Sequence, residues 1–334
     1  MIYESVLDMI GNTPIVSLRQ PNCGEYSLFA KLEGYNPFGS AKDRPSYLAI
    51  ANALQKGVIS EGGAVVESSS GNMAVALALI CRALRLRFIA VVDLHIQASN
   101  LTLLRAAGAR IELVKTQDAN GNSLEARIAR AQQIALEEGA FWLNQYENAD
   151  CPRAHHQGTG AEILEDFGLT GLDYVFIPVS TGGLVAGVSG RLREAGSSAK
   201  VIAVDVQGSA VFGGMLCKRV LSGIGASRRG RLFNGAEIDD VCIVHERECV
   251  AGCRELLLDH GLCCGASSGG TFMAAQHYLD RLGTTQSPPR ALLIFPDRGD
   301  RYAATVFDNK WVTAHQLWRG LTSPANVELL GRSG

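Results

Sequence analysis

The strongest constraint on this chain is its repeated alternation of short apolar runs with longer amphipathic stretches. Runs rich in β-branched residues recur at Ala64–Glu67, Arg87–Asp93, Arg110–Val114, Asp173–Val179, Val201–Val206, Val241–His245 and Ala291–Phe295. Between them the spacing predicts helices over Pro45–Lys56, Met73–Leu84, Asn100–Ala107, Ser123–Glu138, Leu184–Glu194, Arg247–His260 and Thr271–Leu282. Strands joined through helices pair in parallel, with the helices laid over the sheet faces. Several of the runs are apolar at every position, as in strands covered on both sides. The fold class is therefore α/β, with two doubly wound parallel-sheet units. A polar, turn-rich stretch at Asn144–Pro152 separates the two βα series.

Composition narrows the function. A length of 334 residues suits two domains, and 47% hydrophobic against 19% charged residues supports a large core and excludes disorder as the main state. Lysine plus arginine is 31 and aspartate plus glutamate 33, with no basic block to neutralise a phosphate backbone, so no nucleic-acid partner is expected. Met1-Ile2-Tyr3-Glu4 lacks the charged and apolar regions of a secretory signal. The charge-free run from Tyr174 to Gly190 is broken by Pro178 and Gly182-Gly183 and is shorter than the ~20 residues that span a bilayer, so no membrane partner is expected. The nine cysteines are dispersed and odd in number, as in a reduced, cytoplasmic protein. Cys249 and Cys253 fall on one helical face, but no His or Cys pair at finger spacing accompanies them, and no metal is expected.

In open α/β sheets, ligands collect at the carboxyl ends of strands. Three Gly/Ser-rich turns are placed for this role: Glu67-Ser68-Ser69-Ser70-Gly71-Asn72, Val179-Ser180-Thr181-Gly182-Gly183 and Cys264-Gly265-Ala266-Ser267-Ser268-Gly269. In the second, a strand runs into small residues and then a helix, so free amides and the helix dipole suit either a phosphate or a plain strand-to-helix turn. It is neither a Walker loop nor a dinucleotide fingerprint. In Asn36-Pro37-Phe38-Gly39-Ser40-Ala41-Lys42-Asp43-Arg44-Pro45, a lysine stands at the end of a Gly/Pro loop, before a helix expected near Pro45. The positive field of a helix start is expected to lower its pKa and free the amine as a nucleophile toward an aldehyde.

Taken together, these segments resemble the fold type II pyridoxal-phosphate enzymes, the cysteine synthase and cystathionine β-synthase group, whose fold is that of the tryptophan synthase β-subunit. The likeness runs from Gly11-Asn12-Thr13-Pro14 through Lys31-Leu32-Glu33 and the Lys42 loop to Pro296-Asp297-Arg298-Gly299-Asp300-Arg301-Tyr302. It implies a smaller domain over 42–150, with 1–41 and 151–334 forming the larger one, a homodimer, and pyridoxal 5'-phosphate as cofactor. By motif position, Lys42 would hold the cofactor covalently and serve as base. Asn72 would meet its phenolic oxygen, Ser180, Thr181, Gly182, Gly183 and Leu184 would cup its phosphate, and Ser267 would face the pyridine nitrogen. A hydroxyl there makes a weaker electron sink than a carboxylate would, favouring prompt loss of a β-substituent over transamination. Ser69, Ser70, Gly71, Met73 and Gln145 would clamp the substrate carboxylate. Tyr47, Trp142 and Trp311 are read as packing residues, and His155-His156 are left outside the site.

The sequence departs from ordinary cysteine synthases in ways that bear on substrate. It has Gln145-Tyr146 for their Gln-Phe, Ser180-Thr181-Gly182-Gly183-Leu184 for their Gly-Thr-Gly-Gly-Thr, Met73 for a threonine, and Gly223-Ile224-Gly225-Ala226-Ser227-Arg228-Arg229 where an apolar or glycine continuation is usual. Together with the closing basic cluster, these changes resemble the members that take O-phosphoserine as donor and glutamate as acceptor. Arg228 is then expected to meet the leaving phosphate or the glutamate carboxylate, with Arg229 on the surface. The alternatives are a sulfide-using cysteine synthase, a serine or threonine dehydratase, and a non-catalytic homologue that binds a partner; retention of Lys42, Asn72 and Ser267 argues against the last.

Overall fold

The computed structural model describes residues 2–18, 26–117, 123–283 and 287–318, with a further strand at 328–329; Cys23 lies outside the described residues. Residues Ile15–Leu18 (β1) and Ser27–Leu32 (β2) pair antiparallel before the first long helix, Asp43–Gln55 (α1). There follow Ala64–Ser68 (β3), Asn72–Ala83 (α2), Arg87–Asp93 (β4), Ala98–Ala106 (α3), Arg110–Val114 (β5), Leu124–Glu138 (α4) and the two-residue Phe141–Trp142 (β6). Two helices, Asp150–Gln157 (α5) and Thr159–Phe167 (α6), lead into Tyr174–Pro178 (β7), Gly183–Glu194 (α7), Lys200–Val206 (β8) and Asp240–Val244 (β9). Glu246–His260 (α8), Ala266–Asp280 (α9), Arg290–Phe295 (β10), Asn309–Ala314 (α10) and Glu328–Leu329 (β11) complete the series.

The strands form two sheets. The smaller has the order β5-β4-β3-β6 and is parallel throughout; the larger runs β1-β2-β10-β7-β8-β9-β11, parallel except for its two edge strands. The unbroken apolar runs follow from burial on both faces. In β8, Ile202, Val204 and Val206 join a core with α8 and α9, while Val201 and Ala203 join the core on the opposite face. In β3, Val65 faces α1 and α2, while Ala64 and Val66 face α4. Both sheets therefore have the two covered faces of a doubly wound fold.

Two expectations are corrected. The last long helix begins at Ala266, not Thr271, which places Ser267 in its first turn. The Ser/Gly run there is not a loop but a surface for close helix packing: a Cβ on Gly252 of α8 would stand 2.2 Å from the Gly269 carbonyl oxygen. Similarly, the helix after Lys42 starts at Asp43, with Lys42 itself at its cap.

Candidate active site

All three Gly/Ser-rich turns and the Lys42 loop meet in one cleft of about 1210 Å³ between the carboxyl ends of the two sheets. The Lys42 loop is tied down at several points. Ala41 N–H donates to the Pro296 carbonyl at 2.7 Å, Phe38 N–H donates to Asp43 Oδ2 at 2.7 Å, and Lys42 N–H donates to Ser40 Oγ at 3.3 Å. Lys42 Nζ donates to Thr181 Oγ1 at 3.4 Å. Burial holds its pKa below the ordinary lysine value, against weaker upward pulls from Cys151 and Glu67. Desolvation is thus the leading cause of the lowered pKa, at an amine that stands at the cap of α1.

Opposite Lys42, α7 begins without a side-chain cap. Its first helical bond runs from Ala186 N–H to the Gly182 carbonyl, which leaves the preceding amides of the turn without a helical acceptor. Gly182 has φ +97°, and a Cβ there would stand 2.6 Å from the Phe233 ring, so glycine is required both for the backbone shape and for the approach of that ring. Ser180, Thr181, Gly182 and Leu184 line the cleft; Gly183 does not, and packs against Cys151.

The third wall is the loop between β3 and α2. Ser70 Oγ accepts from Asp93 N–H at 3.1 Å, Ser69 Oγ accepts from Gly71 N–H at 3.3 Å, and Gln145 Nε2 donates to the Ser68 carbonyl at 3.2 Å. Beneath them lies fully buried Glu67, whose Oε1 accepts from Ser68 N–H at 3.0 Å; burial pushes its pKa up to about 8. Burial likewise raises Tyr146 to about 12, so its hydroxyl stays protonated beside the same loop. Met73 lines the same cleft, its side chain 2% exposed in the core and receiving the Ser46 hydroxyl. What Met73 offers the cleft is backbone, in the first turn of α2. Asn72 and Ser267 both line the cleft, Ser267 almost wholly buried.

Behind Lys42, the Gly11, Lys31 and Arg44 motifs converge on a buried ionic cluster. Arg44 pairs with Glu33 at 2.7 Å and with Glu162 at 2.5 Å, Lys31 pairs with Glu162 at 2.7 Å, and the Thr13 hydroxyl donates to Glu33 at 2.8 Å. Two cations balance two anions. Burial alone would raise both carboxyls, yet Arg44 outweighs it and holds Glu33 low, and Arg44 with Lys31 brings Glu162 to about 2. His155, left out of the sequence-predicted site, lines the cleft beside this cluster; it lies 3.1 Å from Thr159 Oγ1, and burial lowers its pKa to about 3. Its neighbour His156 points elsewhere, to Glu194.

The mouth is lined by residues 216–223 and 225–228, in a stretch without helix or strand. Two contacts cross it: Gln97 Nε2 to Ser222 Oγ at 3.1 Å and Arg228 to Glu125 at 2.7 Å. Arg228 is thus already paired and its side chain is 46% exposed. Arg127, which sequence reasoning missed, lies in the same cleft at 12% exposure, 3.0 Å from Asp93. Arg229 does sit at the surface, but its guanidinium stacks over Phe233 at 4.9 Å and Phe212 at 5.5 Å. Trp311, expected only to pack, also lines the cleft, stacked on His315 at 4.2 Å.

The sequence pattern of the family described as "Pyridoxal-phosphate dependent enzyme" matches residues 6–297. This chain belongs to that family. It is 43% identical over 314 residues to the N-(2-amino-2-carboxyethyl)-L-glutamate synthases of Cupriavidus metallidurans and Ralstonia nicotianae, covering 93% of this chain and 92% of each of those proteins. Among solved structures it is similar to an O-acetylserine dependent cystathionine β-synthase from Helicobacter pylori, with a TM-score of 0.84, 29% identity and coverage of 91% of this chain and 98% of that one. An O-ureido-L-serine synthase gives a TM-score of 0.85 at 29% identity, covering 92% and 96% of the two chains.

The chain is therefore an enzyme that uses pyridoxal 5'-phosphate, and the cleft fits that group. A partly buried amine with a depressed pKa answers its aldehyde, and a cap-free helix start shaped by a left-handed glycine answers its phosphate. Among the described residues no group of His, Cys, Asp or Glu could hold a metal ion, and no helix is long and apolar enough to cross a membrane.

Proposed function

We propose that this family member joins O-phospho-L-serine to L-glutamate, forming N-(2-amino-2-carboxyethyl)-L-glutamate and releasing phosphate. The observation that carries this reading is the 43% identity, over 93% of the chain, to proteins bearing that synthase name. On this reading the product is a precursor of L-2,3-diaminopropionate for siderophore assembly, and the enzyme is a cytoplasmic homodimer.

Pyridoxal phosphate, when bound, supplies an aldehyde for amines and a ring that accepts electrons from the substrate's Cα. The residues of the chain do the rest. The amides of Ser180, Thr181, Gly182 and Leu184 hold the cofactor phosphate, Asn72 and Ser267 meet its ring, and the 42–150 domain carries the Ser69-Ser70-Gly71 loop and Gln145 onto the substrate carboxylate. Lys42 Nζ takes the proton from the donor's Cα, a role suited to an amine whose burial favours the neutral form. Phosphate leaves Cβ, the amine of glutamate adds there and gives up one proton, which the released phosphate takes, and Lys42 returns its proton to Cα.

A phosphate ester entering a closed cleft needs a cation that is itself out of water. Each arginine already faces a carboxylate, Arg127 that of Asp93 and Arg228 that of Glu125, but Arg127 meets that requirement better because it is far less exposed. Arg228 then serves the acceptor side at the mouth. The deciding assay offers O-phosphoserine and O-acetylserine with glutamate and with sulfide, identifying products by mass. Adduct formation from O-phosphoserine and glutamate is expected; cysteine from O-acetylserine and sulfide, with no glutamate adduct, overturns the proposal.

A further inference from the structure

The closing motif Pro296–Tyr302 marks the family resemblance but has no part in the chemistry described so far. In the structure it sits where three loops meet. Ser40 and Asp297 form an antiparallel bridge beside the Lys42 loop, and Cys264 bridges Arg298 at the entry to α9. Gly265 N–H donates to the Asp297 carbonyl at 3.3 Å, and a Cβ at Gly265 would stand 2.0 Å from Asp297 Oδ1. The Asp297 carboxylate is thus held tightly in place, 2% exposed, with Oδ2 accepting from the Tyr302 hydroxyl at 2.6 Å.

That same Oδ2 accepts from Asn72 Nδ2 at 2.7 Å. Arg301 donates through one Nη to Asn72 Oδ1 and through the other to the Phe38 carbonyl. A carboxamide has one acceptor oxygen and two N–H donors. Here the oxygen is taken by a guanidinium and one N–H by a carboxylate, which leaves a single N–H. Turning the amide over would set its NH₂ against Arg301 and its oxygen against Asp297, two repulsive contacts at once, so this orientation is fixed.

We infer that Asp297 and Arg301 are positioning residues that lock the Asn72 carboxamide so that its one remaining N–H is presented to the cofactor ring. The inference rests on the reading that Asn72 touches the cofactor, and its test separates the two. Asn72→Ala, Asp297→Asn and Arg301→Lys are compared by absorbance spectrum, by the dissociation constant for pyridoxal phosphate and by thermal midpoint of the apoprotein. Asp297→Asn keeps the shape but lets the amide pair either way round; Arg301→Lys keeps the charge but loses the fork.

Loss of one oriented hydrogen bond predicts a displaced absorbance maximum and cofactor binding weaker by about tenfold in Asn72→Ala. Asp297→Asn and Arg301→Lys should show the same displacement, and adding either to Asn72→Ala should change nothing further. If Asn72→Ala leaves spectrum and affinity unchanged, Asn72 does not touch the cofactor and the underlying reading fails. If Asn72→Ala changes both while Asp297→Asn and Arg301→Lys retain the original spectrum and affinity, the positioning inference alone is overturned. Should Asp297→Asn not fold, Arg301→Lys decides by the same two readouts.

Discussion

The inner end of the cleft is lined by backbone amides and by side chains that hold one another, whereas its mouth is lined by side chains from an irregular stretch that solvent reaches. At the inner end, Gly182 is dictated by the Phe233 ring, Asn72 by Asp297 and Arg301, and Arg44 by two carboxylates. At the mouth, Arg228 meets Glu125 in the open and Gln97 meets Ser222 by one bond. The inner end cannot change one residue without disturbing another, while the mouth can. Such a division lets one family keep its cofactor and vary its substrates.

Lys42→Ala should produce the largest contrast, lowering turnover by about 10²–10⁴-fold or more and abolishing the yellow colour of a covalently held cofactor; retained activity would remove Lys42 from the chemistry. Next, Arg127→Ala should cut kcat/KM for O-phosphoserine by about 10- to 100-fold with little effect on O-acetylserine, since a charge-assisted bond to phosphate is lost. An equal loss for both donors would assign Arg127 to Asp93 and the fold instead. Gly182→Ala should weaken cofactor binding about tenfold and destabilise the protein by about 1–3 kcal/mol, read as a lower urea midpoint. Arg228→Ala should cost at most about tenfold in kcat/KM for one substrate, vanish at high salt and leave cofactor absorbance intact, because exposed pairs are screened.

The smallest effect is one of pH. Glu67 holds its proton up to about pH 8 when folded, against an ordinary value of 4.5. Between these values the folded state binds a proton that the unfolded state has released, so the Glu67 contribution to stability is full below about 4.5 and is lost as pH rises through about 8. Glu67→Gln, already neutral, should flatten this decline in a series of denaturation midpoints.

Central strands were legible because burial on both faces writes itself as an unbroken apolar run. The edges were not. In β2, Lys31 interrupts the run, and its charge is answered by Glu162, far along the chain, with the Thr13 carbonyl as a second acceptor. In α5, Pro152 and two histidines hide a helix that packs through Cys151, Ala154 and His155. Within the site, the glycine turns could be read because their chemistry is local. Arg127, in the first turn of α4, and His155, in the last turn of α5, could not, since each reaches the cleft only once elements distant in sequence have come together.

The pairing of β2 with β10 also orders events during synthesis. Everything in the smaller sheet, from Ala64 to Trp142, leaves the ribosome before any of β7, whereas Ser27 meets its parallel neighbour only when Arg290 arrives. The segment that supplies Lys31 and Glu33 is thus among the first made and the last seated, waiting for nearly the whole chain to emerge before the core of the larger sheet can close over it.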